Sequence, residues 1–167
     1  MVNDTQVLNN GYPMPSIGLG VYKITDEDME NVVNTAIETG YRAFDTAYFY
    51  GNEVALGKAL QNSGVDREDL FITSKLWNDY QGYDNTIEYF NQSLENLGLD
   101  YIDLFLIHWP CEKDGLYIES YKALEKLYDE GKVKAIGVCN FKQHHLEKLM
   151  EETEVVPQVN QIELHPY

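Results

Sequence analysis

The order of apolar and polar positions along the chain predicts a regular alternation of strands and helices. Asn10-Gly11 sits between the short segments Gln6–Asn9 and Tyr12–Pro15, a hairpin signal. Ser16–Gly20 is a short glycine-rich apolar strand. Thr25-Asp26-Glu27-Asp28 opens a helix with a capping residue and early acids. Its apolar positions Met29, Val32, Val33, Ala36 and Ile37 recur at helical spacing, and Gly40 stops it. A strand then ends at Asp45, and a helix runs from a capping Asn52 to about Asn62.

The second half repeats the theme. Strands are expected over Leu70–Leu76, Tyr101–His108, Val133–Cys139 and Val159–Glu163. Helices are expected over Asp84–Leu97, Leu116–Glu130 and Phe141–Glu151, with Gly98 and Gly131 ending the first two. Glu151–Glu154 reads as a solvated loop. Tyr101–His108 is almost continuously apolar, as expected of a strand buried on both faces. About six strands and five helices joined by short loops argue for a parallel sheet with right-handed crossovers. An open doubly wound sheet and a (β/α) barrel both satisfy that pattern. A complete barrel needs about eight units and roughly 250 residues.

Composition narrows the partners. The 167 residues carry 12 Lys+Arg against 28 Asp+Glu, a net charge of −16. Such a chain repels nucleic-acid phosphates and anionic membranes. The two cysteines, Cys111 and Cys139, make no disulfide framework, and no CxxC spacing occurs. The N-terminus shows no secretory leader pattern and no apolar run is long enough to span a bilayer, so a cytoplasmic setting is expected.

The polar residues at the predicted strand ends change the picture most. Asp45, Lys75 and His108 end successive strands, Asn140 follows the next, and Gln161 and Glu163 lie in the last. In a parallel sheet all C-terminal ends share one face, where ligands bind. Tyr50 follows Asp45 in the same strand-to-helix turn. Taken singly, Asp45 is also a turn former, Tyr50 and the rim aromatics packing residues, Lys75 an edge residue and His108 a core histidine. His144, His145 and His165 form no convincing metal pair with the acids.

Together the four groups suggest acid catalysis on a carbonyl. A free tyrosine, with a pKa of about 10, is a weak acid at neutral pH. A lysine ammonium nearby lowers that value, and a carboxylate holds the lysine in place. The phenol can then protonate a carbonyl oxygen, which a neutral histidine orients. No side chain supplies hydride, so a nicotinamide is implied. Gly18-Leu19-Gly20 lacks the third glycine of the Rossmann fingerprint, so a dinucleotide would bind in another manner.

The chain resembles the aldo-keto reductases. The matching residues are Gly18-Leu19-Gly20, Gly40-Tyr41-Arg42, Asp45-Thr46-Ala47, Tyr50-Gly51-Asn52-Glu53 and Ser74-Lys75-Leu76-Trp77. They continue through Leu97–Leu104, Ile107-His108-Trp109-Pro110, Gly131–Val138 and Asn160–Tyr167. The resemblance implies NADPH-dependent reduction of aldehydes or ketones in a (β/α)8 barrel of TIM type. It makes Tyr50 the general acid, has Lys75 and Asp45 tune it, and has His108 orient the carbonyl. It places Asn140 and Gln161 on the nicotinamide carboxamide, and Tyr22, Trp77 and Trp109 in the substrate pocket. Cys139 stands where the family commonly has serine and Val21 where many members have threonine; with Asp45 they complete the expected cofactor contacts. Trp77–Tyr83 is most similar to bacterial members acting on glyoxals or keto acids.

The resemblance also implies two further strands and a cofactor-gripping loop beyond residue 167. The expectation is therefore one domain over 1–167, an incomplete barrel of about six units whose open edges invite a second copy or the missing half. Two other readings stand beside the reductase. One is a non-catalytic or cofactor-deficient protein on the same fold; the other is a Schiff-base lyase using Lys75.

Overall fold

A computed structural model describes residues 4–112 and 115–166. Residues 1–3, on which part of the leader reading rests, and Tyr167, the end of the last matching motif, lie outside the described residues. The hairpin forms first, β1 (Thr5–Val7) against β2 (Pro13–Pro15), with Gly11 at φ +86° in its turn. Then come β3 (Leu19–Gly20), α1 (Asp26–Glu38), β4 (Ala43–Asp45), α2 (Glu53–Asn62), β5 (Phe71–Leu76) and α3 (Tyr83–Leu97). β6 (Ile102–Ile107), α4 (Tyr117–Asp129), β7 (Val133–Cys139), α5 (Gln143–Glu152) and β8 (Val159–Gln161) complete the described chain.

Local chemistry accounts for the helix ends. The Thr25 side chain accepts a hydrogen bond from the Asp28 N–H, and three acids occupy the first turn of α1. Met29, Val33 and Ala36 form its buried stripe. Two helix details differ from the sequence pattern. Asn52 stands at the N-cap of α2 and its carbonyl accepts from the Leu56 N–H, but its side chain does not cap: its Nδ2 donates to the Val21 carbonyl and its Oδ1 accepts from Thr46 Oγ1. Glu151 and Glu152 belong to the end of α5, leaving only the following residues as loop. The first and last parallel strands are also shorter than their apolar runs.

Strand order separates the two architectures. The six strands β3 to β8 lie side by side in chain order, and every pairing is parallel. A doubly wound sheet reverses its order at a switch point and carries helices on both faces. Here Phe44, Ile72, Phe105, Ile136 and Val138 pack outward with the helical residues Met29, Leu56, Phe90, Tyr121 and Leu149. The other face holds Ala43, Phe71, Leu104, Leu106, Ala135 and Cys139, joined by Leu8, Tyr12 and Met14 of the N-terminal hairpin. The sheet is therefore a curled one of (β/α)8 type, with six strands described.

The hairpin closes the end of this curl opposite the strand C-termini. Tyr12 Oη donates to Asp103 Oδ1 at 2.7 Å, and Asn10 Nδ2 donates to the Lys134 carbonyl at 3.0 Å. Asp103 is buried and also accepts from Arg67 at 2.6 Å and from the Ile72 N–H at 2.8 Å. Inside the curl there is little room: a β-carbon on Gly137 would lie 2.3 Å from the Val159 carbonyl oxygen, so only glycine lets β7 and β8 approach this closely.

Candidate active site

Pleating decides which residues of each strand reach the interior of the curl. Side chains alternate between faces, so Ala43 and Asp45 share one face, as do Phe71, Thr73 and Lys75. Leu104, Leu106 and His108 follow the same rule, as do Ala135, Gly137 and Cys139, and Val159 and Gln161. The inner row is apolar at its base and turns polar where the strands end. Parallel pairing sets Gly20 beside Asp45, Lys75 beside Leu106, and Cys139 beside Gln161.

Lys75 is the centre of the polar end. It is only 1% exposed, and its Nζ donates to Asp45 Oδ1 at 2.5 Å and to the Thr46 carbonyl at 2.8 Å. A short 3-10 turn over Tyr48–Tyr50 follows β4, and Gly51 ends it at φ +70°. That turn brings the Tyr50 ring to 5.1 Å from Lys75 Nζ. His108 faces the same ring edge-on, with centroids 5.9 Å apart. The structure thus brings Asp45, Tyr50, Lys75 and His108 to one mouth of the sheet.

Electrostatics corrects one expectation. Burial raises the Tyr50 phenol above its ordinary value, and the pull of Lys75 in the other direction does not overcome it. Tyr50 is therefore a protonated phenol at neutral pH, with a cation beside it. His108 moves the other way. Burial, reinforced by Lys75 and opposed by Asp45, lowers its pKa from 6.5 to about 4. The imidazole is neutral at pH 7, and its buried Nδ1 has no hydrogen-bond partner among the described residues.

The sign of the resulting pH dependence follows from linkage. The unfolded imidazole takes up a proton near pH 6.5, whereas the folded one waits until about pH 4. The stabilisation is fully present above the upper value and is lost as pH falls through that window. A His108→Gln variant should therefore lose less stability than the native chain over that interval, as read from urea midpoints at each pH.

The other sequence candidates surround this group. Tyr22 packs on Tyr50 with centroids 4.8 Å apart. Trp77 stacks on Phe49 at 3.8 Å and meets His108 edge-on at 5.3 Å. Trp109 follows His108 and is 45% exposed. Asn140 takes a left-handed backbone at φ +62°, and its Nδ2 donates to the His108 carbonyl at 3.1 Å. Gln161 Nε2 donates to Asp45 Oδ2 at 2.9 Å, and its Oε1 accepts weakly from the Cys139 thiol at 3.9 Å. Burial pushes that thiol up to about 12, so Cys139 is a small buried neutral group. Val21 is fully buried; its N–H donates to the Asp45 carbonyl, so it contributes backbone rather than an exposed side chain.

Three supports escaped sequence reasoning. Asn52 ties Thr46 to Val21 beneath the Lys75 carbonyl contact. Glu53 is buried, accepting from Ser74 at 2.6 Å and from Asn96 at 3.0 Å. Its place directly after Asn52 in the turn motif was the available signal. Sequence reasoning found no acid to pair with His144 and His145, but the fold brings Glu112, 32 and 33 residues earlier, up to these adjacent histidines, with all three ligating atoms within 4.8 Å of one another. His165, by contrast, pairs only locally with Glu163 at 3.0 Å.

A curled parallel β/α sheet with an acid, a lysine, a phenol and an imidazole at its C-terminal mouth defines a class of barrel protein with a polar rim where its strands end. The Aldo/keto reductase family model matches residues 16–167, and the chain belongs to that family. It is 52% identical over 166 residues to the glyoxal reductase of Bacillus subtilis (strain 168), covering 99% of this chain and 59% of that protein. It is 50% identical over 167 residues to methylglyoxal reductase DkgA of Escherichia coli O157:H7, covering 99% and 60% respectively. Among solved structures, an aldo/keto reductase from Brucella melitensis superposes with a TM-score of 0.94 at 48% identity, covering 98% of this chain and 64% of that one. A Gox0644 variant solved in complex with NADPH gives 0.92 at 45% identity, covering 99% and 59%. The chain thus spans well under two thirds of the length of the curated relatives it matches.

Proposed function

We propose that the chain carries the carbonyl-reducing site of an NADPH-dependent reductase acting on small aldehydes or ketones, glyoxal-like compounds first among them. The observation that carries this reading is the convergence of the Tyr50 ring, the buried Lys75 with its Asp45 partner, and the His108 ring at one mouth of the sheet. Tyr50 gives its proton to the carbonyl oxygen as negative charge gathers there. His108 orients that oxygen by hydrogen bonding. Lys75, held by Asp45, stabilises the phenolate left behind. Tyr22, Trp77 and Trp109 supply apolar surface around the substrate.

The residues also fit a nicotinamide. Its carboxamide carries a donor and an acceptor, and Asn140 and Gln161 present amides at neighbouring strand ends. Cys139, Val21 and Asp45 lie beside them. Bound NADPH supplies the hydride. The names of the relatives, a glyoxal and a methylglyoxal reductase, support the substrate class. Among the described residues no helix is long and apolar enough to cross a membrane, and the proposal places the enzyme in the cytoplasm.

The lyase reading finds no support in the geometry. A Schiff base needs a neutral accessible amine, whereas Lys75 is shielded and donates two hydrogen bonds. Titration of NADPH fluorescence and oxidation of NADPH by methylglyoxal test the proposal. Binding together with aldehyde-dependent oxidation is expected. Absence of both favours a non-catalytic role on this fold.

A further inference from the structure

The loop leaving β6 runs Trp109-Pro110-Cys111-Glu112 along the mouth of the site. Its first residue is held from one side: Gln81, 3% exposed, donates from Nε2 to the Trp109 carbonyl at 2.7 Å. Gln81 is itself anchored, because the adjacent Gly82 N–H donates to Ser120 Oγ of α4 at 2.8 Å. Glu112, three residues after Trp109, is held from the other side. Glu112 Oε1 meets His144 Nε2 at 3.3 Å and makes a closer hydrogen bond with His145 Nε2. Between these anchors Cys111 adopts φ +45°, a left-handed backbone that a non-glycine residue keeps only where its surroundings over-determine it.

The hydrogen-bond pattern at His145 says what the second anchor is. Its Nδ1 accepts from the Lys142 N–H at 3.0 Å, so the neutral ring carries its proton on Nε2, facing the Glu112 carboxylate. That tautomer makes His145 a donor to Glu112 and leaves no lone pair for a metal ion. The position suits an anion as well, since the N-terminus of α5 carries partial positive charge. Glu112 is held below the usual carboxylate range by its hydrogen bonds to His145 and His144.

We infer that Gln81, and Glu112 with His145, are positioning residues that clamp this loop and so fix the Trp109 indole as a wall of the substrate mouth. With 45% of its surface exposed, Trp109 has limited packing of its own, and the backbone anchors must supply its order. The specificity part of the inference rests on the reductase reading; the clamp does not.

The chain has two tryptophans, so a Trp77→Phe background leaves Trp109 as the sole indole reporter. In that background Glu112→Ala and Gln81→Ala should each raise acrylamide quenching of Trp109 and lower its anisotropy. Glu112→Gln should restore both, because its carbonyl oxygen still accepts from His145. Thermal melts that match the background chain separate loosening from unfolding. With Trp77 native, Glu112→Ala should raise KM for a bulky aldehyde about tenfold while kcat stays within about twofold, and Glu112→Gln should recover it. Quenching unchanged in both alanine variants overturns the clamp, whatever the activity. A loosened Trp109 with unchanged KM overturns the specificity role. If the native chain reduces no carbonyl, the reductase reading fails and the fluorescence decides the clamp alone.

Discussion

Changing Tyr50 to phenylalanine is expected to lower kcat by about two to four orders of magnitude, the usual worth of a positioned general acid. The two residues differ by one oxygen. Phenylalanine keeps the ring packed against Tyr22 and near Lys75, so NADPH affinity and KM should change little. If Tyr50 is the proposed general acid, the loss falls on the transition state, because the phenol proton matters only as the carbonyl oxygen becomes charged. Burial keeps Tyr50 protonated, and Lys75 makes the departing proton less costly. Stopped-flow single turnover measures the chemical step directly. A fall of less than about tenfold would assign the proton to another donor.

Asp45→Ala should be the most damaging change to stability at the site. Lys75 is almost completely buried, and Asp45 is its only carboxylate partner in the described structure. Removing one member of a buried pair costs about 3–5 kcal/mol, since the remaining charge has lost its compensation. Asp45 keeps 24% of its side chain in contact with solvent, which favours the lower end. The Thr46 carbonyl remains for Lys75, while Gln161 loses an acceptor. Urea midpoints give the cost. Adding Lys75→Met to Asp45→Ala should recover most of it, because the stranded charge is then gone. If the double variant is as unstable as the single one, the loss comes from Gln161 or the strand, not from the lysine.

Much of this arrangement is legible in the letters because it is local. Thr25 and Gly40 bracket α1, the apolar run of β6 marks a doubly covered strand, and the polar residues at strand ends expose the rim. Barrel and open sheet, however, share that local signature. They differ in which strands pair, and only the unbroken order from β3 to β8 separates them. The same limit applies to charge. Reading Tyr50 from its neighbours gives the pull of Lys75 but not the burial that exceeds it. Asn52 has the letter of a helix cap, yet the buried Thr46 hydroxyl and Val21 carbonyl compete for its side chain. Glu112 and His145 stand 33 residues apart, and no periodicity links them. Each of these depends on contacts made after the chain has folded back on itself.

The plugging hairpin bears on how the chain is made. Each parallel strand can dock on its predecessor as it emerges during synthesis, so assembly can proceed stepwise from the first unit. Asn10 and Tyr12 break that sequence: their partners Tyr128, Lys134 and Asp103 are translated 118, 124 and 91 residues later. Until then the newborn curl has a greasy, uncapped base. Long-range closure of this kind is slow and leaves sticky surface exposed. The hairpin, translated before every parallel strand it caps, is thus among the last elements to seat, and the interval before it does is when a chaperone would find most to hold.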